Sequence, residues 1–447
     1  MSLAGTVEST GTQARVPAVV RDLELTEALP AIAATDPAGR RVERAWLLVR
    51  LFTEPLGFAV LDVPDRGLAP EEVAASVAAK FGAQIAQRLA GAGVPPREEV
   101  PVGGIQVPGP VPFLARRAEV LRDAPPITVV VCTRERPEQL TACLDSLLAQ
   151  DYPRLRVLVV DNAPVSDATE RVVRAAAERG PVDYLVEPVP GLSRARNRAV
   201  ASAPGDILAW IDDDERADRH WLAEVARALA DHPQASVVSG VIVPAELETH
   251  AQLLFEQFGG HSKGRGFTPD VFSPATARRQ SPLYPLPPFG TGANMTFRPG
   301  VIERIGGFDR ALGAGTPAMG SEDTLAFTQV LRGGGTIVYQ PSAICRHYHR
   351  RDLAGLREQM RGYGTGLTAA YTSLVLHNPL VLLPLLRLIP TALRDLSSDD
   401  SLRNAGIDEH FPAELMSANR RGMLAGPFAY LRGTLGRRRA ERTPPGR

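Results

Sequence analysis

The sequence predicts an α/β protein on a doubly wound sheet, with a small N-terminal α+β module and a helical C-terminal extension. Apolar runs alternate with helix-patterned segments from residue 127 onward, the pattern of a parallel sheet covered on both faces. One run, Ile207-Leu-Ala-Trp-Ile211, delivers Asp212, Asp213 and Asp214 at its end. Two earlier runs end in the polar tips Thr133-Arg-Glu-Arg136 and Asp161-Asn162. Ligands of open α/β sheets collect at such carboxyl ends.

Residues 1–20 are rich in Gly, Thr and Ser and read as disordered. In 21–93, two apolar stretches at 41–51 and 57–63 flank a Glu54-Pro55 turn, as paired strands would. A helix-patterned segment follows, opened by Pro70 and Glu71. Residues 94–124 are rich in Pro and Gly and read as a linker. The main unit, 125–366, contains strands near 127–132, 157–161, 182–186, 207–211 and 237–243. Helices are expected at 137–149, opened by Pro137, and at 167–178, 192–202 and 322–332. Residues 256–288 read as a long loop or lid. Residues 367–447 form the extension, with a proline-broken apolar stretch at 374–393 and the basic cluster Arg437-Arg-Arg439.

At 447 residues the chain holds two or three folded units. Its formal net charge of zero argues against a nucleic-acid binder that relies on bulk electrostatics. Lys80 and Lys263 are the only lysines, which we read as the coding bias of a GC-rich genome. Cys132, Cys143 and Cys345 make no disulfide framework, so a reducing, cytoplasmic compartment is expected. No uninterrupted apolar run reaches the roughly 20 residues of a spanning helix. The apolar stretch and arginine cluster would suit peripheral contact with the inner face of the plasma membrane. A helix pair packed on the 125–366 unit would explain the same pattern.

Three adjacent carboxylates repel one another, and a fold that gathers them usually supplies a cation. Hard divalent ions such as Mg²⁺ or Mn²⁺ take oxygen ligands and bridge to phosphates. The loop after the first strand offers free N–H groups at a helix start, suited to a nucleotide. Asp161 could accept from a base N–H. Gly191-Leu-Ser-Arg-Ala-Arg-Asn-Arg198 sets arginines at a helix start, against the helix dipole, and an anionic ligand would relieve that conflict. Asn197 could instead tie down loop backbone. Glu322-Asp323 opens a helix, where acids also serve as caps. Cys132 and Cys143 read as core, and His261 and Lys263 in the Gly-rich loop could meet an acceptor.

Ile127-Thr-Val-Val-Val-Cys-Thr-Arg-Glu-Arg-Pro137, Val159-Val-Asp-Asn162, Gly191-Leu-Ser-Arg-Ala-Arg-Asn197 and Trp210-Ile-Asp-Asp-Asp214 occur in a telling order. So do Gly290-Thr-Gly-Ala-Asn-Met-Thr-Phe-Arg298, Gly306-Gly-Phe-Asp309, Gly320-Ser-Glu-Asp-Thr-Leu325 and Ile344-Cys-Arg-His-Tyr-His-Arg350. Together these resemble the family 2 glycosyltransferases over residues 126–366. The resemblance implies a GT-A, Rossmann-like fold and a metal-dependent inverting transfer from a nucleotide-sugar to a hydroxyl. It implies Asp212, Asp214 and His347 as metal ligands for Mn²⁺ or Mg²⁺, with His349 the alternative histidine. Thr133, Arg136, Asp161, Arg194, Arg196, Asn197, Asp212, Asp213 and Asn294 would bind the donor. Asp323 would be the catalytic base, with Glu322 orienting the site or acceptor. Thr133-Arg-Glu-Arg136 departs from the family, which more often has an aromatic and an Asn after the Thr.

The expected donor is a UDP-, GDP- or dTDP-sugar. The acceptor would be a glycan, a polyprenyl-linked sugar or a small molecule, in bacterial-type polysaccharide, glycolipid or glycoside synthesis. A nucleotidyltransferase would share the sheet and metal, but it would carry a glycine-rich phosphate loop that 133–136 lacks. A catalytically silent sugar-binding module is the non-enzyme alternative, and the three acids at 212, 214 and 323 count against it.

Overall fold

The computed structural model describes residues 16–442, apart from 277–279, 399–400, 402–403, 405 and 409. Residues 1–15 and the side chains of the 437–439 arginine cluster lie outside the described residues. The first unit is a three-stranded sheet of β1 (Ala18–Glu24), β2 (Arg44–Leu51) and β3 (Glu54–Asp62), with β1 parallel and β3 antiparallel to β2. Helix α1 (Pro70–Gly91) belongs to the same core through Val73, Val77, Phe81, Ile85 and Leu89, a stripe at four-residue spacing that is almost wholly buried.

Two expectations are corrected here. Residues 18–20, expected to be disordered, begin β1. The expected linker at 94–124 belongs largely to the first unit: Val94, Val100, Ile105 and Val111 join its core. The same stretch forms α2 (Pro112–Arg122), which packs against the next unit. Proline at its first turn starts that helix, which a compositional reading took for a loop signal.

The large sheet begins with four parallel strands, β4 (Ile127–Thr133), β5 (Leu155–Asn162), β6 (Val182–Glu187) and β7 (Ile207–Asp212). Helices α3 (Pro137–Leu148), α4 (Ala168–Ala177) and α5 (Leu192–Ser202) connect them. Val129 and Val131 of β4 enter one core cluster and Val130 the other. Both faces are covered, which is why the strands read as unbroken apolar runs.

Beyond β7 come β8 (Glu215–Ala217), α6 (Trp221–Asp231), β9 (Val237–Pro244), α7 (His250–Gln257), β10 (Asp270–Phe272) and β11 (Met295–Phe297). Helices α8 (Val301–Arg304) and α9 (Glu322–Arg332) precede β12 (Ile337–His347). The strand order is β10-β12-β9-β11-β7-β4-β5-β6, with β8 paired to β12. The sheet is therefore mixed: β11 runs antiparallel to both β7 and β9, and β8 and β10 antiparallel to β12.

The C-terminal helices α10 (Leu353–His377), α11 (Leu382–Ser397) and α12 (Ala413–Arg442) complete the chain. Helix α10 runs straight across the expected boundary at 366/367. It packs along α12 at small residues, because a Cβ on Gly364 would collide with the Asn419 carbonyl and one on Gly422 with that of Arg361. Thr368 Oγ1 donates to the Met423 carbonyl (2.7 Å) and Asn419 Nδ2 to that of Met360 (2.9 Å). Among the described residues, no helix is long and apolar enough to cross a membrane.

Candidate active site

The parallel register sets Cys132 beside Asp212 and Thr133 beside Asp161, so these strand tips share one edge. A cavity of about 870 Å³ opens there, within the range of small-molecule sites. Its sheet-side wall includes Thr133, Arg136, Asn162, Arg196 and Asp212–Asp214. Glu322 and Asp323 line it from the start of α9, and Tyr363 and Met423 from α10 and α12.

The three aspartates divide their work. Asp213 is buried, accepting from Thr133 Oγ1 (2.7 Å) and Arg136 Nη1 (2.9 Å). Asp214 also accepts from Arg136 (3.2 Å), and its other oxygen lies 3.6 Å from His347 Nε2. Short β8 pairs antiparallel with the end of β12, opposing Glu215 to His347, and this register brings the histidine to Asp214. Asp212 lines the cavity with its side chain 39% exposed. Partial desolvation raises its carboxyl against the pull of Arg196, and the charges of Asp214 and Asp213 act in the same direction. Burial holds His347 well below its ordinary value, leaving a neutral ring able to ligate.

These donors fit a divalent ion. Asp212 and Asp214 offer oxygen and His347 offers nitrogen, the donor types such an ion takes, and the three crowded carboxylates share the cations of Arg136 and Arg196. Among the described residues, the group of three whose ligand atoms meet is a different one, and neither Asp212 nor Asp214 belongs to it. His261, His347 and His349 place one ring nitrogen each within 4.8 Å of one another.

Arg196 organises the opposite side. Its buried guanidinium donates to Glu322 Oε1 (2.8 Å) and to the Gly292 carbonyl (3.0 Å). Burial raises the Glu322 carboxyl and Arg196 opposes the shift. Asp323 accepts from the N–H of Gly292 (2.5 Å) and of Thr324 (2.6 Å). It therefore satisfies one free N–H of the α9 start and faces the cavity as well, combining the capping and site readings. Met319 and Ser321 just before it hold left-handed φ of 67° and 65°, strain of the kind found at functional sites.

Four expected donor residues do not line the cavity. Asp161 is fully buried and accepts from Tyr184 OH (2.8 Å). Asn197 holds Phe308 by both its N–H (2.9 Å) and its carbonyl (2.7 Å), as the loop-tying alternative describes. Asn294 spends its amide on Trp221 Nε1, Val241 and Ala343 inside the core. Arg194 is half-buried outside the lining. Glu135, in the departing loop, caps the N–H groups of Val165 and Ser166.

Several lining residues escaped the sequence reading. Asn162 takes the place beside Asp161, and Gln359 and Tyr363 lie one helical turn apart on α10, joined by a 3.1 Å hydrogen bond. Their i, i+4 spacing was visible, but nothing local tied it to a motif 150 residues earlier. His261 and Lys263 do reach the cavity from the loop at 256–288.

Residues 128–306 match the family described as glycosyl transferase family 2. A glucosyl-dolichyl phosphate glucuronosyltransferase of Haloferax volcanii is 27% identical over 42% of this chain and 57% of its own length. The succinoglycan biosynthesis protein ExoM of Rhizobium meliloti is 30% identical over 48% of this chain and 65% of its own. The chain thus spans less than two thirds of either relative. A Pyrobaculum calidifontis mannosyltransferase solved with GDP-Man and Mn²⁺ aligns with a TM-score of 0.41 and 21% identity, over 74% of this chain and 81% of that one. The segment that matches the glycosyl transferase family 2 model, 128–306, carries the aspartates at 212–214 and Arg196.

Proposed function

We propose that the chain transfers a sugar, with inversion, from a nucleoside-diphosphate sugar to an acceptor hydroxyl. The observation that carries this is Arg196, which joins the carboxylates on the two sides of one cavity. It touches Glu322 and Gly292 at hydrogen-bond distance and lies 3.8 Å from Asp212, while Gly292 holds Asp323. In this reading the acceptor oxygen bonds to the anomeric carbon as the bond to the diphosphate oxygen breaks. Asp323 takes the hydroxyl proton, and the diphosphate leaves with the electron pair. Glu322, neutralised by Arg196, fixes the floor of the site. Asp212, Asp214 and His347 would hold Mn²⁺ or Mg²⁺, which supplies positive charge for the leaving group. Thr133 and Arg136 support the metal side through Asp213.

Donor binding to a panel of UDP-, GDP- and dTDP-sugars, with turnover, tests the reading. Asp323→Asn should keep donor affinity and lose roughly 10²- to 10⁴-fold in turnover. Asp214→Ala should lose both. A folded, fully active Asp323→Asn would remove the assigned base.

The finer reading is a lipid-linked acceptor met at the cytoplasmic membrane surface. Eleven of the fifteen exposed large hydrophobics among the described residues fall within 376–435, on α10 to α12 and the short turn between α10 and α11. Met423 of α12 lines the cavity, and its neighbour Leu424 is among the exposed eleven. The cavity and the apolar surface therefore share a helix, as an amphipathic attachment site would.

A further inference from the structure

We propose that Glu256 and His349 are positioning residues for His347, forming a carboxylate–imidazole–imidazole relay that keeps His347 Nε2 open as a ligand beside Asp214. The proposal rests on the metal reading above and assigns roles to two residues that the transfer chemistry leaves without one.

The geometry begins at α7, where Glu256 Oε1 lies 2.8 Å from His349 Nε2. A carboxylate accepts, so this nitrogen carries the proton. A neutral ring protonated at Nε2 has its lone pair on Nδ1. His349 Nδ1 in turn lies 2.7 Å from His347 Nδ1. Two lone pairs cannot meet at that distance, so His347 donates from Nδ1 and holds its own lone pair on Nε2. That nitrogen faces Asp214, 3.6 Å away. Each bond fixes the next, and the chain ends on the atom a metal needs.

The relay is also rigid. The His349 side chain is 1% exposed, and its ring meets Phe255 edge-on at 4.7 Å. His261 packs edge-on against His347 with centroids 4.5 Å apart. Without Glu256, His349 could take either tautomer. Where its proton sits on Nδ1, His347 must accept there and would turn a proton, not a lone pair, toward Asp214. Metal-ligating histidines commonly have the other nitrogen fixed by a carboxylate, and loss of that partner costs 10- to 100-fold in metal affinity. Here a second imidazole is interposed between carboxylate and ligand.

The test is Mn²⁺ affinity of the full chain by calorimetry, with the imidazole tautomers read from long-range ¹H–¹⁵N spectra. Glu256→Met should weaken Mn²⁺ about 10- to 100-fold and mix the His347 tautomers, while Glu256→Gln, which still presents an acceptor oxygen, should restore most of the affinity. Unchanged affinity and tautomer in Glu256→Met, with Asp214→Ala weakened, would overturn the relay alone. Unchanged affinity in Asp214→Ala would overturn the metal reading beneath it. If His261→Ala abolishes Mn²⁺ binding as fully as Asp214→Ala, the three histidines hold the ion themselves and the relay is wrong.

Discussion

The cavity has two walls made in different ways. The sheet-side wall is charged and cross-linked: Asp213, Arg136, Arg196 and Glu322 are held by hydrogen bonds of 2.7–3.2 Å to one another and to Thr133, Asp214 and Gly292. The helical wall is held by close backbone approach at glycines of α10 and α12, and it presents leucines to solvent. The first wall tolerates little displacement, because charges inside a protein are strongly coupled. The second can change its exposed side chains freely as long as its glycines stay small. On the proposed function, donor chemistry would belong to the first wall and acceptor choice to the second.

Three variants would break or sharpen that contrast. Gly292→Ala should have the largest effect. Its Cβ would lie 2.7 Å from Arg196 Nη2 and 3.0 Å from Asp323 Oδ2, forcing both aside. Turnover should fall by about 10²-fold, as misplacements near 1 Å can cause, and a normal rate would show that the charged wall is not tight. Gly364→Ala should act on the other wall, because its Cβ would lie 2.0 Å from the Asn419 carbonyl and must part α10 from α12. Overpacking against α12 should cost about 1–3 kcal/mol in a thermal melt and reduce acceptor-dependent turnover, with donor affinity preserved. Equal loss of donor binding would erase the division between the walls. Replacing Leu383, Leu386 and Ile389 of α11 by serine should be the smallest change in stability, within about 0.5 kcal/mol per site. It should still reduce co-sedimentation with anionic vesicles, and unchanged sedimentation would remove the membrane reading.

Much of this architecture was legible because burial on both sheet faces writes itself as apolar runs. Helices Leu192–Ser202 and Glu322–Arg332 fall at their expected limits. Antiparallel β11 was less visible: three residues cannot reveal direction, and Met295-Thr-Phe297 reads alike either way. At the site, Asp212, Asp214, Arg196, Glu322, Asp323 and His347 line one cavity. Asp161, Asn197 and Asn294 do not, because a motif fixes position along an element but not which polar groups its neighbours demand. Asn294 shows this well, since Trp221, absent from every motif, claims its oxygen. The histidine relay was hidden for a related reason, its members lying on α7 and at the end of β12, 93 residues apart.

The placement of β12 separates the unit of inheritance from the unit of folding. Residues 337–347 fill the sheet between β9 and β10, eight residues of the strand pairing with β9, yet they lie beyond the family-matched 128–306. Cut at residue 306, the domain would present β9 as a bare apolar edge, the kind of surface that invites aggregation. It would also lose His347, and Asp323 with it. The segment matched by the family model is therefore not what can stand alone, and shuffling it into new proteins would have to carry residues 307–347 along.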